Sequence, residues 1–265
     1  MNLNTKKDII LGLDISTSCI GVSIVYDDGK EKPEILKITH VVPKLPSKIS
    51  GIEALILRKK IFEEEFLIGI KDFGITECVI EAPLKYASAN SNAETISQLL
   101  QFNGLISEAV YRVLGIVPNY ISSYDARMYA FPKLLSIRKF NKKGIIYPYK
   151  HIIKSIEDNH LILFGDFPFD CDKKSVVMNC VCEEYPDINW VYDSKGRMKK
   201  ENFDACDSLV CLLAYINKKR YGELNANVIE YSSGRNEDIR ITYSVSFWGK
   251  VIEKNIRIPL EIKNN

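Results

Sequence analysis

The order of apolar segments along the chain constrains its fold more than any other feature. Three short segments rich in Ile and Val come first, at 8–13, 20–26 and 34–42, and turn residues separate them. This pattern is typical of an antiparallel meander. Helical and strand-like patterns then alternate, which favours parallel strands joined by right-handed crossovers. The sequence therefore predicts an α/β fold built on a mixed sheet.

Helical periodicity recurs in the longer segments. The first helix is predicted from a Ser50 cap to a stop at Gly74, where the helical spacing of apolar residues ends. Asn202, or a residue beside it, is the expected N-cap of the last helix. The remaining helices are predicted at about 93–114, 149–162, 173–185 and 202–220.

Shorter apolar segments predict the other strands and the division of the chain. Segments 76–82 and 116–122 are expected to join the main sheet, and three alternating segments near the end of the chain predict additional strands. We therefore expect a main domain at 1–222 with an irregular insertion at about 136–170. A C-terminal β-strand extension is expected at 223–265.

Composition is typical of a globular protein without a membrane partner. Of the 265 residues, 46% are hydrophobic and 26% are charged, which is sufficient for a proper core. No segment approaches the roughly 20 uninterrupted apolar residues of a membrane span, and the N-terminus lacks a signal-peptide pattern. We expect a cytoplasmic protein of bacterial or viral origin, with the nucleus as the alternative compartment.

The seven cysteines are expected to be reduced thiols in the core. Their number is odd, their surroundings are apolar, and no CxxC pair with zinc-ligand spacing occurs. Free cysteine behaves as a small buried hydrophobe. Cys180 and Cys182 are only two positions apart, so a metal or redox pair is the alternative for these two residues.

Four carboxylates occupy the ends of predicted elements. Asp14 ends the first strand and Glu81 ends the strand at 76–82, while Asp204 and Asp207 lie three residues apart on one face of the last helix. Functional groups collect at the carboxyl ends of parallel strands, so we expect the four acids at one edge of the sheet. Taken singly, each acid also fits a structural role in a turn, a loop or a helix N-terminus.

The chemistry of four neighbouring carboxylates points to divalent cations. They repel one another and stay ionised together only where cations neutralise them. Oxygen ligands without His or Cys favour Mg²⁺ or Mn²⁺ over zinc. Two such ions about 3.5–4 Å apart activate water and stabilise the leaving oxygen in phosphodiester hydrolysis. The acids therefore predict nuclease chemistry.

A basic segment interleaved with aromatic residues predicts contacts with nucleic-acid phosphates. The overall charge is only +2, so the whole-protein field does not indicate a polyanionic partner. The local distribution is more informative, although the solvated face of a variable insertion is the alternative interpretation. The predicted DNA contacts of this basic segment are Lys133, Arg138, Lys139, Lys142 and Lys143.

Several segments together resemble RuvC-type Holliday junction resolvases, a family of the RNase H-like superfamily. They occur in family order over about residues 8–219, and the chain departs from the family pattern where Ile15 and Ser16 follow the first acid in place of Pro-Gly. The resemblance implies an RNase H-like mixed five-stranded sheet flanked by helices. The matching segments are LGLDISTSCIGVSIV, CVIEAP, QLLQFNGLISEAV, DKKSVV and FDACDSLVCLLAY.

The resemblance also implies the site and the substrate. Asp14, Glu81, Asp204 and Asp207 would bind two Mg²⁺ ions as a catalytic tetrad, with Mn²⁺ as a substitute, and Lys174 would lie near the scissile phosphate. A homodimer would make paired nicks in four-way, branched double-stranded DNA.

Further DNA contacts are expected around this site. Lys173 and Arg127 would meet backbone phosphates. In the loop after Glu81, Leu84 and Tyr86 are candidates for insertion into an opened junction, and packing is the alternative role for both.

Three other functions remain as alternatives. A related nuclease would cut flaps, forks or RNA in hybrids. An actin-like sugar kinase also begins with a segment similar to GLDISTS, but Ser16 stands where that family has a glycine. A non-enzymatic junction-binding protein would keep the acids without turnover, showing metal-independent binding and no nicking.

Overall fold

The computed structural model contains two compact units. The first comprises 1–126 and 181–215, and the second comprises 127–180 and 216–265. Each unit is described below by itself. The structure describes residues 7–30, 32–83, 93–137, 139–140, 146–147, 154, 161, 163–165, 167, 171–232, 238–247 and 250–258.

A five-stranded mixed sheet organises the first unit. Its order is β3-β2-β1-β4-β5. The pairs β1–β2 and β2–β3 are antiparallel, whereas β1–β4 and β4–β5 are parallel. The predicted mixed five-stranded sheet of an α/β fold is therefore confirmed. The strands are β1 (Asp8–Ile15), β2 (Ile20–Asp27), β3 (Glu34–Val41), β4 (Glu77–Glu81) and β5 (Asn119–Ile121).

The two faces of this sheet carry different residues. On β1, Leu11 and Leu13 belong to the same apolar cluster as Leu55 of the first helix and Phe102 of the second. Successive residues of a strand point to opposite faces, so Gly12 and Asp14 belong to the other face. The central strand is thus covered on its apolar face, and its second face is left for another element.

The first predicted helix has the expected extent but not a uniform geometry. It begins as α1 (Gly51–Phe62), continues as a π-helical turn at Glu63–Leu67 and ends as a 3₁₀ segment at Ile68–Phe73. Gly74 then adopts a left-handed conformation with φ of 71°, as a helix stop requires. Ser50 occupies the N-cap position without a side-chain capping hydrogen bond.

The other helices agree with the predicted segments, with one addition. The described helices after α1 are α2 (Ala93–Leu114), α3 (Ser123–Ala130), α4 (Lys173–Glu184) and α5 (Glu201–Tyr221). The short helix α3 was not predicted, because its eight residues carry too little periodicity. The helix expected near 149–162 lies outside the described residues, except for Lys154, which is helical, and Leu161, which is not.

Asn202 has a different role from the predicted N-cap. It lies inside the first turn of α5 and is buried. Its side-chain amide donates to the carbonyl oxygen of Val191 at 2.7 Å and accepts from the Val191 N–H at 3.2 Å. Asn202 therefore ties the preceding segment to the helix, rather than satisfying the N–H groups of the helix start.

The second unit is built from short strands and an antiparallel sheet. A 3₁₀ turn at Pro132–Leu134 precedes β6 (Leu135–Ser136), which pairs with β9 (Phe164–Gly165). The three-stranded sheet has the order β10-β11-β12, as the alternating C-terminal segments predicted. The remaining described strands of the second unit are β7 (Lys139–Phe140), β8 (Ile146–Tyr147), β10 (Asn225–Ser232), β11 (Ile239–Phe247) and β12 (Lys250–Ile258).

No disulfide joins any of the seven cysteines, which are reduced thiols as predicted. All of them except Cys171 and Cys182 are buried. These two are only partly buried, so the expectation of core thiols holds for the other five. Across the described part of the chain, each helix is too short or too polar to cross a membrane.

Replacing Asn202 with Ala should destabilise the first unit. The change removes two hydrogen bonds to Val191, and each such bond contributes about 0.5–1.5 kcal/mol net. Urea unfolding of Asn202→Ala should therefore show a free energy of unfolding lower by about 1–3 kcal/mol. Asn189→Ala, at an exposed neighbouring position, is the control. Equal stability of the two variants would contradict the role assigned to Asn202.

Candidate active site

The sheet brings the first two predicted acids together. Leu13 of β1 pairs with Ile80 of β4 in parallel register, so the next residue on each strand places Asp14 beside Glu81. Glu81 in turn pairs with Ile121 of β5. Both acids are partly buried. They therefore share the carboxyl edge of the two central parallel strands, where functional groups collect in such sheets.

Helix α5 packs directly on the β1–β2 hairpin through two glycines. A Cβ at Gly12 would lie 2.5 Å from the carbonyl oxygen of Ser208. One at Gly21 would lie less than 3.0 Å from the carbonyl oxygen of Asp204. Gly21 pairs with Asp14 across the hairpin. The start of α5 is thus held against the strand residue opposite Asp14, which explains how Asp204 reaches the edge of the sheet.

The turn that joins β1 and β2 is closed by Ser16. Its hydroxyl donates to the carbonyl oxygen of Cys19 at 2.8 Å and accepts from the Cys19 N–H at 3.0 Å. A backbone bond from the Ser16 N–H to the same carbonyl, at 3.0 Å, completes the turn. Ser16 is a residue at which the sequence departs from the family pattern, and here it stabilises the hairpin that carries Asp14.

Two buried thiols each interact with more than one of the predicted acids. Cys211 donates to Oε2 of Glu81, with the sulfur 3.7 Å from the oxygen. Burial raises the pKa of the Cys211 thiol well above its usual value, and the charges of Glu81, Asp14 and Asp207 raise it further. One thiol therefore lies within electrostatic reach of three of the predicted acids.

The second thiol, Cys19, places the fourth acid in the same region. Burial raises the pKa of Cys19, a hydrogen bond and the charge of Asp204 raise it further, and Glu201 and Asp14 add to the effect. Asp14 acts on both thiols, and the backbone of Asp204 lies against Gly21, the residue paired with Asp14. We therefore group Asp204 with the other three acids. We call Asp14, Glu81, Asp204 and Asp207 the acidic cluster.

The acidic cluster suits a hard divalent cation in its donor chemistry. All four groups are carboxylates, the oxygen ligands that Mg²⁺ and Mn²⁺ prefer. Among the residues that the structure describes, no three His, Cys, Asp or Glu side chains form a ready-made metal cage. Mg²⁺ rarely uses such cages and is usually held by one or two carboxylates together with water and substrate phosphates. The cluster fits that mode of binding.

The predicted basic contacts of α4 belong to the second unit. Lys173 and Lys174 are exposed in the first turn of α4. The carboxylate of Asp172 accepts from the N–H groups of Lys174 and Ser175, at 3.2 and 3.3 Å. The Lys173 ammonium lies 5.5 Å from the centre of the Phe167 ring. Asp172 therefore caps this helix, and the lysine side chains are its exposed positive charges.

The other predicted DNA contacts are only partly described. Arg127 is half-buried in α3, and Lys133 is exposed in the 3₁₀ turn. The carbonyl oxygen of Lys133 accepts from the ammonium of Lys254 at 3.0 Å. Lys139 lies in β7, of which only the backbone is described. The predictions outside the described residues are Leu84, Tyr86, Arg138, Lys142 and Lys143.

Sequence reasoning missed the residues that support the acids. Gly12 and Gly21 interrupt apolar strands, and an isolated glycine in a strand indicates close approach of another backbone. Cys211 follows Asp207 by four residues, so it was predictable on the same helix face. The contact with Glu81 was not predictable, because it joins positions 130 residues apart.

Comparisons with known proteins give similarity in structure alone. The chain matches no protein-family model and no curated protein sequence. The structure of Thermus thermophilus RuvC is similar, with 14% identity and a TM-score of 0.47 over 80% of this chain and 95% of that chain. The structure of T. thermophilus RuvC in complex with Holliday junction substrate is also similar, with 13% identity and a TM-score of 0.48 over 80% of this chain and 95% of that chain.

A third similar structure is that of the yeast mitochondrial Holliday junction resolvase Ydc2. It shows 11% identity and a TM-score of 0.43, over 79% of this chain and 78% of that chain. Solved structures similar to this chain thus include members of the family that its motifs resemble. Because the identities and TM-scores are low, any functional conclusion has to rest on the residues of the chain itself.

Replacing Gly21 with Ala should separate α5 from the hairpin. The added methyl group would overlap the backbone of Asp204, and overpacking of this kind costs about 1–3 kcal/mol. Thermal unfolding should show a lower melting temperature than that of the parent protein. Gly104→Ala is the matched control, because its Cβ would meet open space on α2 and alanine is the better helix former. A Gly21→Ala protein as stable as Gly104→Ala would contradict the close packing of α5.

Proposed function

We propose that the chain is a metal-dependent, structure-selective DNA endonuclease that resolves four-way junctions by paired nicks. The acidic cluster is the observation that carries this proposal. It combines two strand-end acids from neighbouring parallel strands with two acids from α5, and two buried thiols interact with its members. Four carboxylates in one region are suited to phosphodiester hydrolysis assisted by two cations.

In this proposal, carboxylates from the sheet and from α5 would bind the cations together. Bound there, two Mg²⁺ or Mn²⁺ ions would supply an activated water and a stabilised leaving oxygen. Asp14 and Glu81 offer carboxylates from the sheet, and Asp204 and Asp207 offer them from the helix. Asp207 is only 7% exposed and is grouped with three other carboxylates, whose mutual repulsion a bound cation would offset. Its position therefore favours a bound cation over a solvated surface charge.

DNA binding would use the exposed lysines of α4. Lys173 and Lys174 present positive charge at the first turn of this helix, and lysines bind phosphates without reading sequence. We propose that Lys174 meets the backbone near the scissile phosphate. Binding of this kind positions the substrate and leaves selectivity to the branched shape of the DNA.

A homodimer would match the symmetry of the substrate. A four-way junction presents two equivalent strands, and a two-fold related pair of subunits can place one active site on each. Paired nicks would then come from one binding event. Cleavage of flaps, forks or RNA–DNA hybrids with the same metal dependence would keep the nuclease and replace its substrate.

The first test compares the parent protein with Asp207→Asn on four-way, three-way, flap and linear DNA. With Mg²⁺, the parent should make symmetric nicks only in the four-way junction, and EDTA should abolish them. Asp207→Asn should retain DNA binding but cut at least about 100-fold more slowly, since even the partners of metal ligands contribute 10–100-fold. Denaturing gels give the cleavage rates, and native gels give the binding.

Asp187→Asn is the matched control, because Asp187 is exposed in the same unit. It should cut at the parental rate. Cutting by Asp207→Asn at the parental rate would refute the assigned site. Metal-independent binding without nicking at any Mg²⁺ or Mn²⁺ concentration would favour a non-enzymatic binding protein.

Replacing Lys174 with Ala should weaken DNA binding in a salt-dependent way. Each phosphate contact contributes about 0.9 to the slope of log affinity against log salt for duplex DNA. Filter binding over a series of salt concentrations should therefore give a slope smaller in magnitude by about 1. The cleavage positions should not change, because lysine–phosphate contacts carry no sequence information.

Lys71→Ala provides the control, since Lys71 is an exposed lysine far along the chain from α4. Its slope should equal that of the parent protein. If Lys174→Ala binds with the parental slope and cuts slowly, Lys174 acts on the transition state rather than on binding. If it binds and cuts like Lys71→Ala, the proposed phosphate contact is wrong.

A further inference from the structure

The thiol of Cys211 lies between α5 and the end of β4. Cys211 is fully buried and follows Asp207 by one helical turn. Its sulfur is 3.7 Å from Oε2 of Glu81, within reach of the long hydrogen bonds that sulfur forms. The contact is directed at one carboxylate oxygen. It therefore links the helix that carries two acids to the strand that carries another.

Glu81 has a fixed backbone and a long side chain. The pairing of Glu81 with Ile121 and the hydrogen bond from the Ala82 N–H to the Ile121 carbonyl oxygen, at 2.7 Å, hold its backbone. A glutamate side chain nevertheless loses about 1.5–2 kcal/mol of rotamer entropy when it is ordered. A neighbouring donor that selects one rotamer reduces that cost at the moment of cation binding.

A thiol has suitable chemistry for this task. It is a weak hydrogen-bond donor, so it orients a carboxylate without withdrawing much of the charge that a cation needs. An ionised carboxylate has about four acceptor positions, and one thiol occupies one of them. Groups beside metal ligands orient those ligands, and their loss typically costs 10–100-fold in metal affinity.

We propose that Cys211 is a positioning residue that orients the Glu81 carboxylate for a divalent cation. This inference rests on the proposed function, because it takes Glu81 as a cation ligand. Cys211 is fully buried and its thiol contacts Glu81, so in this proposal it acts through the Glu81 carboxylate and not by binding DNA. Its loss should therefore weaken cation binding and leave DNA binding unchanged.

The experiment measures Mn²⁺ binding by electron paramagnetic resonance in Cys211→Ala, Cys211→Ser and Cys78→Ala. Cys78 is the matched control, because it is also a fully buried cysteine of the first unit and belongs to the apolar cluster of the opposite face. Cys211→Ala should raise the Mn²⁺ dissociation constant about tenfold or more. Cys78→Ala should keep the parental value, and Cys211→Ser, which retains a donor, should recover most of the affinity.

A second readout follows the same variants in cleavage of four-way DNA. The Mg²⁺ concentration for half-maximal rate should rise in Cys211→Ala only, while its DNA affinity in EDTA stays parental. If Cys211→Ala fails to fold, Cys211→Val replaces it, because valine fills the space without a donor. Cys211→Val should then bind Mn²⁺ more weakly than Cys211→Ser.

The outcomes separate this inference from the proposed function. Equal Mn²⁺ affinity in Cys211→Ala and Cys78→Ala, with active parent protein, overturns the role of Cys211 and leaves the nuclease intact. Weaker Mn²⁺ binding in Cys211→Ala, with a parent that cuts no DNA, supports the positioning role and refutes the nuclease. A parent protein that binds no Mn²⁺ overturns both.

Discussion

The contact between the backbone of α5 and two glycines of the β1–β2 hairpin is the constraint on which the rest of the first unit depends. Any side chain at Gly12 or Gly21 would collide with helix backbone, so the helix lies closer to the sheet than side chains normally allow. The acids of α5 and β1 are all aspartates, whose short side chains bring their carboxylates together only where the backbones of helix and strand lie close to each other. Close packing of helix and sheet is therefore what makes one acidic cluster from separate elements.

This packing has an electrostatic cost that the fold must offset. Asp207 is nearly buried, and Asp14 and Glu81 are partly buried, so their mutual repulsion is screened less than at a solvated surface. The opposite face of the sheet buries Leu11, Leu13 and a large apolar cluster, which supplies stability at about 25 cal/mol per Å² of apolar area. One face stabilises the unit, and the other concentrates negative charge. Such a division is typical of functional sites, where residues that lower stability are retained and the rest of the fold offsets their cost.

The sequence predicted the parts of this arrangement that follow from periodicity. Strand-end acids and alternating elements were sufficient to place Asp14 beside Glu81, because parallel strands align their carboxyl ends. Periodicity does not report contacts between distant or irregular segments. Asn202, or a residue beside it, was expected to cap the helix, but Asn202 instead bonds to Val191, which lies in a segment without regular structure. The eight residues of α3 were too few for a helical pattern to emerge.

The start of α4 shows how a cap changes the kind of nucleic-acid contact that a helix can make. Free N–H groups at a helix N-terminus bind phosphate directly. Here the Asp172 carboxylate accepts from two of them and from the Ser175 hydroxyl, and these bonds hold the pKa of Asp172 below its usual value. A phosphate at this helix would therefore meet the side chains of Lys173 and Lys174 instead of backbone groups. Lysine carries its charge on a flexible stem, and its contacts with phosphate carry no sequence information; both properties agree with the proposed binding of branched DNA.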